Sequence, residues 1–466
     1  MISFLPKYFS SKAISLYVAS LVVVSIIFFS RALPLMWWPF GLIEVIGFFY
    51  YSNKLTNKWQ IIRVDKFVKK VFMTALIIRL VWVFFSFGFF IVAAGSQFGF
   101  GAADSTTYHA VAVALSDLGF DEYERVFWGM DISDRGYGTY LGILYMIFNN
   151  SFLIPHIIKA VLSAFTCVLI YKLTSRTFSD QVGRMAAIFC MLMPNMIFYS
   201  GFHLKETEMV FLVVAYIERA DFIIRSKKYN FINIAIPLIL AGSLFFLRTV
   251  LGATAIFALF TTLVFSSNKV LGMGRRTVLI VWAIVAAGYF MGGKVLTEIE
   301  QVWDSRSKNQ ESSMEWRANR KGGNQFAKYA GGAVFAPLIV VIPFPTIVNT
   351  PNQENQQMIN GGNYIKNIMA FFALFALLWI VKNKKWRDYL LIITFTFSYL
   401  IVIAMSAFAQ SERFHQPTLP FVMILSAFGV SLVTNSTKKY YMFWLMFIFV
   451  AIIGWSWFKL AGRGMV

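Results

Sequence analysis

The chain is punctuated by apolar runs, each about 20 residues long, and many of the connections between them are short and rich in Lys and Arg. An α-helix rises about 1.5 Å per residue, so a run of this length covers the roughly 30 Å hydrocarbon layer of a bilayer. A backbone in lipid must satisfy its polar groups within itself, which leaves helices or closed barrels, and runs this long select helices. Charged residues make up 14% of the 466 and apolar ones 58%, against roughly 25% charged in an ordinary soluble domain. The sequence therefore predicts an all-α polytopic membrane protein. Apolar runs near 13–30, 34–51, 71–94, 152–172, 184–200, 208–224, 231–247, 250–267, 277–293, 364–382, 389–408, 417–434 and 440–458 give about 13 transmembrane helices.

Charge sets the expected orientation. With the N-terminus cytoplasmic, the inner connections become 52–70, 173–183, 225–230, 268–276, 383–388 and 435–439, and all are basic or flanked by basic residues, as the positive-inside rule requires. Lys459 and Arg463 then fall outside, against the trend, and the C-terminus is external. The net charge of +20 is spent in these short loops, with no soluble basic domain to hold nucleic acid. Lys7 and Lys12 precede the first run as in a signal, but no small-residue cleavage site follows, so an uncleaved first helix is expected. Four parts result: 1–70 with two spans and a basic loop, a core at 71–293, a long outer loop at 294–363, and a C-terminal bundle at 364–466. Thr139–Phe148 is too short to cross and predicts a helix lying in the interface. Gly331–Pro345, broken by Pro337, Pro343 and Pro345, predicts a re-entrant or interfacial segment. Cys167 and Cys190 both sit in apolar runs and have no metal-ligand spacing.

Polar residues gather in the outer connections. The insert Gly101–His109 carries Asp104 and Tyr108, and Asp131, Asp134, Arg135 and Tyr137 follow it. A carboxylate at a dry lipid boundary makes a better proton acceptor, so Asp104 is a candidate general base oriented by Ser105, Thr106 and Tyr108. It would also serve as the N-cap of a helix over Tyr108–Leu118. Arg135, beside Tyr137, suits a lipid phosphate, or else pairs with Asp131 or Asp134. Arg248 and Arg413 stand at outer ends of spans, where an anionic ligand would explain them. Lys205 and Glu206 could position an acceptor, bridge a phosphate, hold a metal with Asp104, or simply solvate a turn. His203 and His415 are acid/base candidates or packed histidines. No metal signature is present beyond the Asp104 and Glu206 carboxylates, which would take Mg2+ or Mn2+. No phosphate-cradling glycine loop occurs, which argues against ATP-driven transport, and no internal repeat suggests a repeat-built transporter.

In order and spacing these elements resemble the GT-C superfamily of polyprenyl-phosphate-sugar-dependent glycosyltransferases, in its protein-mannosyltransferase-like and aminoarabinose-transferase-like branch. The likeness rests on Asp104 and Tyr108 after a span, on Asp134-Arg135-Gly136-Tyr137, on Tyr171-Lys172 and Arg176 closing a span, on Pro194 leading to Lys205-Glu206, and on Glu412-Arg413 before Pro417 and Pro420. It covers 71–250 well and the C-terminal third loosely. Ser105 stands where the family often has Glu, and Glu206 where many relatives have Asp. The resemblance implies a multi-pass enzyme of a bacterial cytoplasmic membrane, transferring a sugar from a polyprenyl-phosphate donor to a lipid, protein or glycan on the outer face. Asp104 would be the base of one inverting step, with Glu206 beside it. Arg135, Tyr137, Lys205, Arg248 and Arg413 would bind the donor phosphate, and Tyr108, His203 and His415 would face the acceptor. The alternatives are an O-antigen-type polymerase or ligase using Arg306, Arg317 and Arg320, and a lipid-linked-sugar flippase.

Overall fold

The computed structural model describes residues 2–226, 231–267, 270–290, 336–406 and 408–466, together with 312, 314–316, 318–319 and 323–326. Among these the architecture is helical, and the strand-like pairing is an isolated bridge between Ala32 and Val348. The chain runs through α1 (Lys7–Ile27), α2 (Trp38–Lys58) and α3 (Val64–Ala94). It then forms α4 (Ala103–Leu118), α5 (Tyr123–Val126) and α6 (Ile132–Phe148). Next come α7 (Leu153–Thr177), α8 (Asp180–Leu192), α9 (Pro194–Phe198) and α10 (Glu206–Arg225). After α11 (Phe231–Leu247), α12 (Thr249–Phe265) and α13 (Met273–Phe290), the C-terminal part holds α14 (Glu354–Met358), α15 (Asn360–Lys382), α16 (Leu390–Ala404), α17 (Glu412–His415), α18 (Leu419–Ser431) and α19 (Thr437–Ala461).

A helix lies in every apolar segment expected from the sequence, but among the described residues α1, α3, α7, α15 and α19 are the 5 single helices long and apolar enough to cross a membrane, or 6 spans if α8 and α9 count as one bent span. The others are shorter or more polar, so the expected number of spans exceeds what length and hydropathy alone support. The exposed face of α3 carries Ile77, Val81, Phe84, Phe85, Ile91 and Val92, the inverse of a soluble helix and suited to lipid. Every residue of α18 is buried, and this helix packs between α15 and α8 as the axis of the bundle.

The segment expected as one span over 184–200 is two helices, bent by 54° where α8 gives way to α9. Pro194 lacks the N–H that would have bonded the Cys190 carbonyl, so the last turn of α8 is left with unpaired oxygens. Arg79, wholly buried on α3, supplies the missing donors: it bonds Cys190 O at 3.3 Å, Met191 O at 3.2 Å and Ser163 Oγ at 2.6 Å. Farther along α3, Trp82 Nε1 bonds Phe198 O at 3.0 Å, and Phe90 meets Phe202 edge-to-face at 4.9 Å. Gly201 passes between them because a Cβ there would lie 2.3 Å from Ser86 Oγ.

Residues 336–350 form a short 3-10 turn (Ala336–Leu338) and then buried irregular backbone. Its carbonyls are taken by α15: Asn367 bonds Val341 O at 2.6 Å and Pro343 O at 3.0 Å, and Lys366 takes Ile342 O. Irregular backbone away from water needs such partners. The start of that segment, 331–335, lies outside the described residues.

Candidate active site

Five connections meet at one end of the bundle: the loop into α4, the first turns of α6, the turn Tyr199–Lys205, the α11–α12 junction and α17. Two local expectations shift. The helix over Asp104 begins at Ala103, so Asp104 lies in its first turn and caps nothing; its charge still suits the positive end of the helix. The helix expected at the interface begins at Ile132, which places Asp134, Arg135 and Tyr137 within its first two turns rather than before it. Gly136 is required there, since a Cβ would lie 2.2 Å from the Phe246 carbonyl of α11.

Arg413 is the hub. Its Nη1 donates to Asp104 Oδ2 and its Nε to Glu206 Oε1, joining the starts of three helices, 309 and 207 residues from Arg413 in sequence. The two carboxylates differ sharply. Asp104 keeps 58% of its side chain exposed, whereas Glu206 is wholly buried. The dry carboxylate expected at Asp104 is thus found at Glu206. Burial opposes the charge on Arg413, but Glu206 and Asp104 outweigh it and hold the guanidinium above its ordinary pKa.

A second knot lies alongside. Asp134 Oδ1 accepts from Lys205 Nζ at 2.7 Å and from Tyr108 Oη at 2.9 Å, and Lys205 also bonds Ser133 O at 2.9 Å. Burial pushes the Asp134 carboxyl up, but Lys205, the Tyr108 hydroxyl and Arg248 together hold it below the usual range. Burial, joined by Arg248, lowers the Lys205 ammonium below its ordinary pKa against the opposing pull of Asp134 and Glu206. Arg248 stands over the Phe414 ring at 4.4 Å and bonds Tyr399 Oη at 3.1 Å.

The remaining sequence candidates scatter. Arg135 bonds Glu124 Oε2 at 2.9 Å and Met130 O at 3.0 Å, so its charge is answered by a residue that sequence reasoning did not single out. Tyr137 is buried with its hydroxyl unpartnered, its ring under Lys159 Nζ at 5.2 Å. His203 sits in an aromatic cage with Phe98, Phe152 and His156, bonded to Tyr145 Oη at 3.2 Å. His415 is buried between Lys366 Nζ and Ala409 O, both at 2.9 Å. Burial lowers the basicity of both histidines well below normal, which suits packing better than proton exchange with an acceptor. Arg306, Arg317 and Arg320 lie outside the described residues.

Asp104 and Arg413 open onto a cavity of about 250 Å3. Phe98, Phe100, Phe198, Tyr199 and Phe202 form its aromatic lining, and Asn352–Gln356, Ser411 and Glu412 its polar one. Glu206 does not line it. Tyr199 Oη bonds Glu412 Oε1 at 3.2 Å, and burial raises the Glu412 carboxyl. The segment 352–356 and Glu412 were missed as site residues; the amide-rich spelling Asn352-Gln-Glu-Asn-Gln356 was the available signal. A metal held by Asp104 and Glu206 fits poorly, because the Arg413 guanidinium occupies the space between them. Among the described residues no group of three His, Cys, Asp or Glu is arranged for a metal ion.

No family model and no curated protein matches the chain. Among solved structures it is similar to the archaeal oligosaccharyltransferase AglB from Archaeoglobus fulgidus, in complex with an inhibitory peptide and a dolichol-phosphate, at 14% identity and a TM-score of 0.45. That match covers 88% of this chain and 56% of AglB, so the chain spans little more than half the length of that protein.

Proposed function

We propose that this chain is a membrane glycosyltransferase that moves a sugar from a polyprenyl-phosphate carrier to an acceptor hydroxyl on the outer side of a cytoplasmic membrane. The observation that carries the reading is the Arg413 bridge between an exposed and a buried carboxylate at the edge of the cavity. Glu206 has no access to the cavity and cannot exchange its partner, so it anchors the guanidinium. Asp104 is accessible and exchangeable.

A phosphate entering the cavity competes with Asp104 for the planar guanidinium, which matches two phosphate oxygens. Asp104, released, takes the proton from the acceptor hydroxyl. The acceptor oxygen bonds to the anomeric carbon as the bond from that carbon to the phosphate oxygen breaks, inverting the centre. The electron pair leaves with the lipid phosphate, and Arg413 stabilises the charge that develops there. Lys205, Asp134 and Arg248 hold the neighbouring wall. Arg135 is assigned to shaping the α5–α6 corner through Glu124.

Comparison of lipid and glycan extracts by mass spectrometry, from cells with and without the protein, identifies donor and product together. Asp104→Asn should reproduce the loss of product while the purified protein melts as wild type, since general-base catalysis contributes on the order of 10²–10⁴ in rate. Full turnover by Asp104→Asn would remove the assignment, and movement of the lipid-linked sugar across vesicles without transfer would favour the flippase.

A further inference from the structure

Lys459 stands near the end of α19, on the side where the charge pattern of the loops disfavours a cation, and it is buried. Its ammonium bonds Gln353 Oε1 at 2.9 Å and Gln356 Oε1 at 2.8 Å. An ammonium has donors only, so it must take the carbonyl end of each side chain, and the NH2 end of each is turned the other way. Both glutamines line the cavity. Between them, Asn355 uses its Nδ2 to bond Phe100 O at 2.8 Å, which ties this wall to the loop leading into α4. Its Oδ1 is buried and has no partner. Gln357 fixes the segment from behind by bonding Val348 O and Thr350 O, each at 3.2 Å.

We infer that residues 353–356 are the sugar-reading wall of the cavity, and that Lys459 is a positioning residue that sets its polarity. Two fixed amide donors beside aromatic rings suit a neutral ring bearing several hydroxyls: hydroxyl oxygens accept from the amides, and the C–H face of the ring packs on Phe or Tyr. A phosphate would meet Glu354 on this wall, so the anion belongs at Arg413 across the cavity. The volume of about 250 Å3 lies just under the roughly 300–1,000 Å3 of small-molecule sites and suits one sugar ring. The inference rests on the transferase reading in naming the ligand a sugar.

Saturation-transfer NMR on the detergent-solubilised full chain, with methyl glycosides of glucose, galactose, mannose, N-acetylglucosamine and arabinose as probes, tests it. At least one glycoside should receive saturation on its ring protons from wild type. Lys459→Met should raise its half-saturating concentration about tenfold, as loss of two oriented hydrogen bonds predicts, and Lys459→Arg should restore most of the binding. The double variant Gln353→Met with Gln356→Met, which keeps Lys459, should match Lys459→Met, and melting curves separate lost binding from lost folding. Absence of any glycoside signal with wild type, or unchanged binding by the glutamine double variant, overturns the inference. Glycoside binding as described with no transferred sugar in cells would instead remove the transferase reading and leave the wall standing.

Discussion

Both ends of the bundle carry dense ion-pair networks, and only one has the marks of a site. At the end opposite Asp104, Arg176 bonds Asp221 at 2.6 Å and Glu218 at 3.1 Å, Arg219 bonds Glu218 at 2.5 Å, and Arg225 bonds Asp221 at 2.7 Å. Each oxygen of those two carboxylates has a partner, and the space beside them is about 10 Å3, room for about one water. At the Asp104 end the cavity is far larger, and two of the side chains lining it keep a buried oxygen without a partner, Glu412 Oε2 and Asn355 Oδ1. Saturated networks staple helices together, whereas polar groups left unanswered around a cavity await a ligand.

Variants at the two ends should therefore fail in opposite ways. The largest effect is expected of Asp104→Asn, with turnover down by on the order of 10²–10⁴ and melting unchanged; equal loss from a network residue at the other end would break the contrast. Arg413→Met strands the buried Glu206 charge and should cost about 3–5 kcal/mol. Adding Glu206→Leu should restore thermal stability without activity, which separates the anchor from the chemistry. Asp221→Asn should lower stability by on the order of 3 kcal/mol while activity per folded molecule, assayed on the same preparation, stays near wild type. Arg79→Met should cost about 1–3 kcal/mol for each carbonyl left bare, read by thermal or denaturant unfolding in detergent.

The smallest effect concerns pH. Asp134 is held below the usual carboxylate range by its cations, so its contribution is present above the unfolded-state value near about 4 and fades as pH falls through the lower folded value. Asp134→Asn should flatten that acid limb in a stability profile from pH 7 to 3, modestly, because 43% of the side chain is exposed and water screens the pair. A profile that stays as steep in the variant would assign the limb to other carboxylates.

The helices were legible because hydropathy over a window of this length is a strong local signal, and the polar connections were legible because charges stand out against it. What stayed hidden depends on distance in sequence. Pro194 was visible, but that a buried Arg79 would accept its consequence and bend the span was not. Arg135 and Lys205 were equal candidates for a nearby anion; packing gave Asp134 to Lys205 and Glu124 to Arg135. Lys459 looked like a violation of the charge rule until its two glutamines, about 100 residues earlier, came into view.

The contacts of Arg79, Trp82 and Phe90 recur along one stripe of α3 and follow the chain from Cys190 to Phe202. The loop leading to Asp104 leaves the end of this same helix, and the turn leading to Glu206 leaves the strip it grips. The gap between the two acids is thus gauged deep inside the bundle, as the jaws of a caliper are set by its beam. A substitution at the rim changes what lines the cavity, whereas one on this stripe of α3 shifts the distance between the two acids.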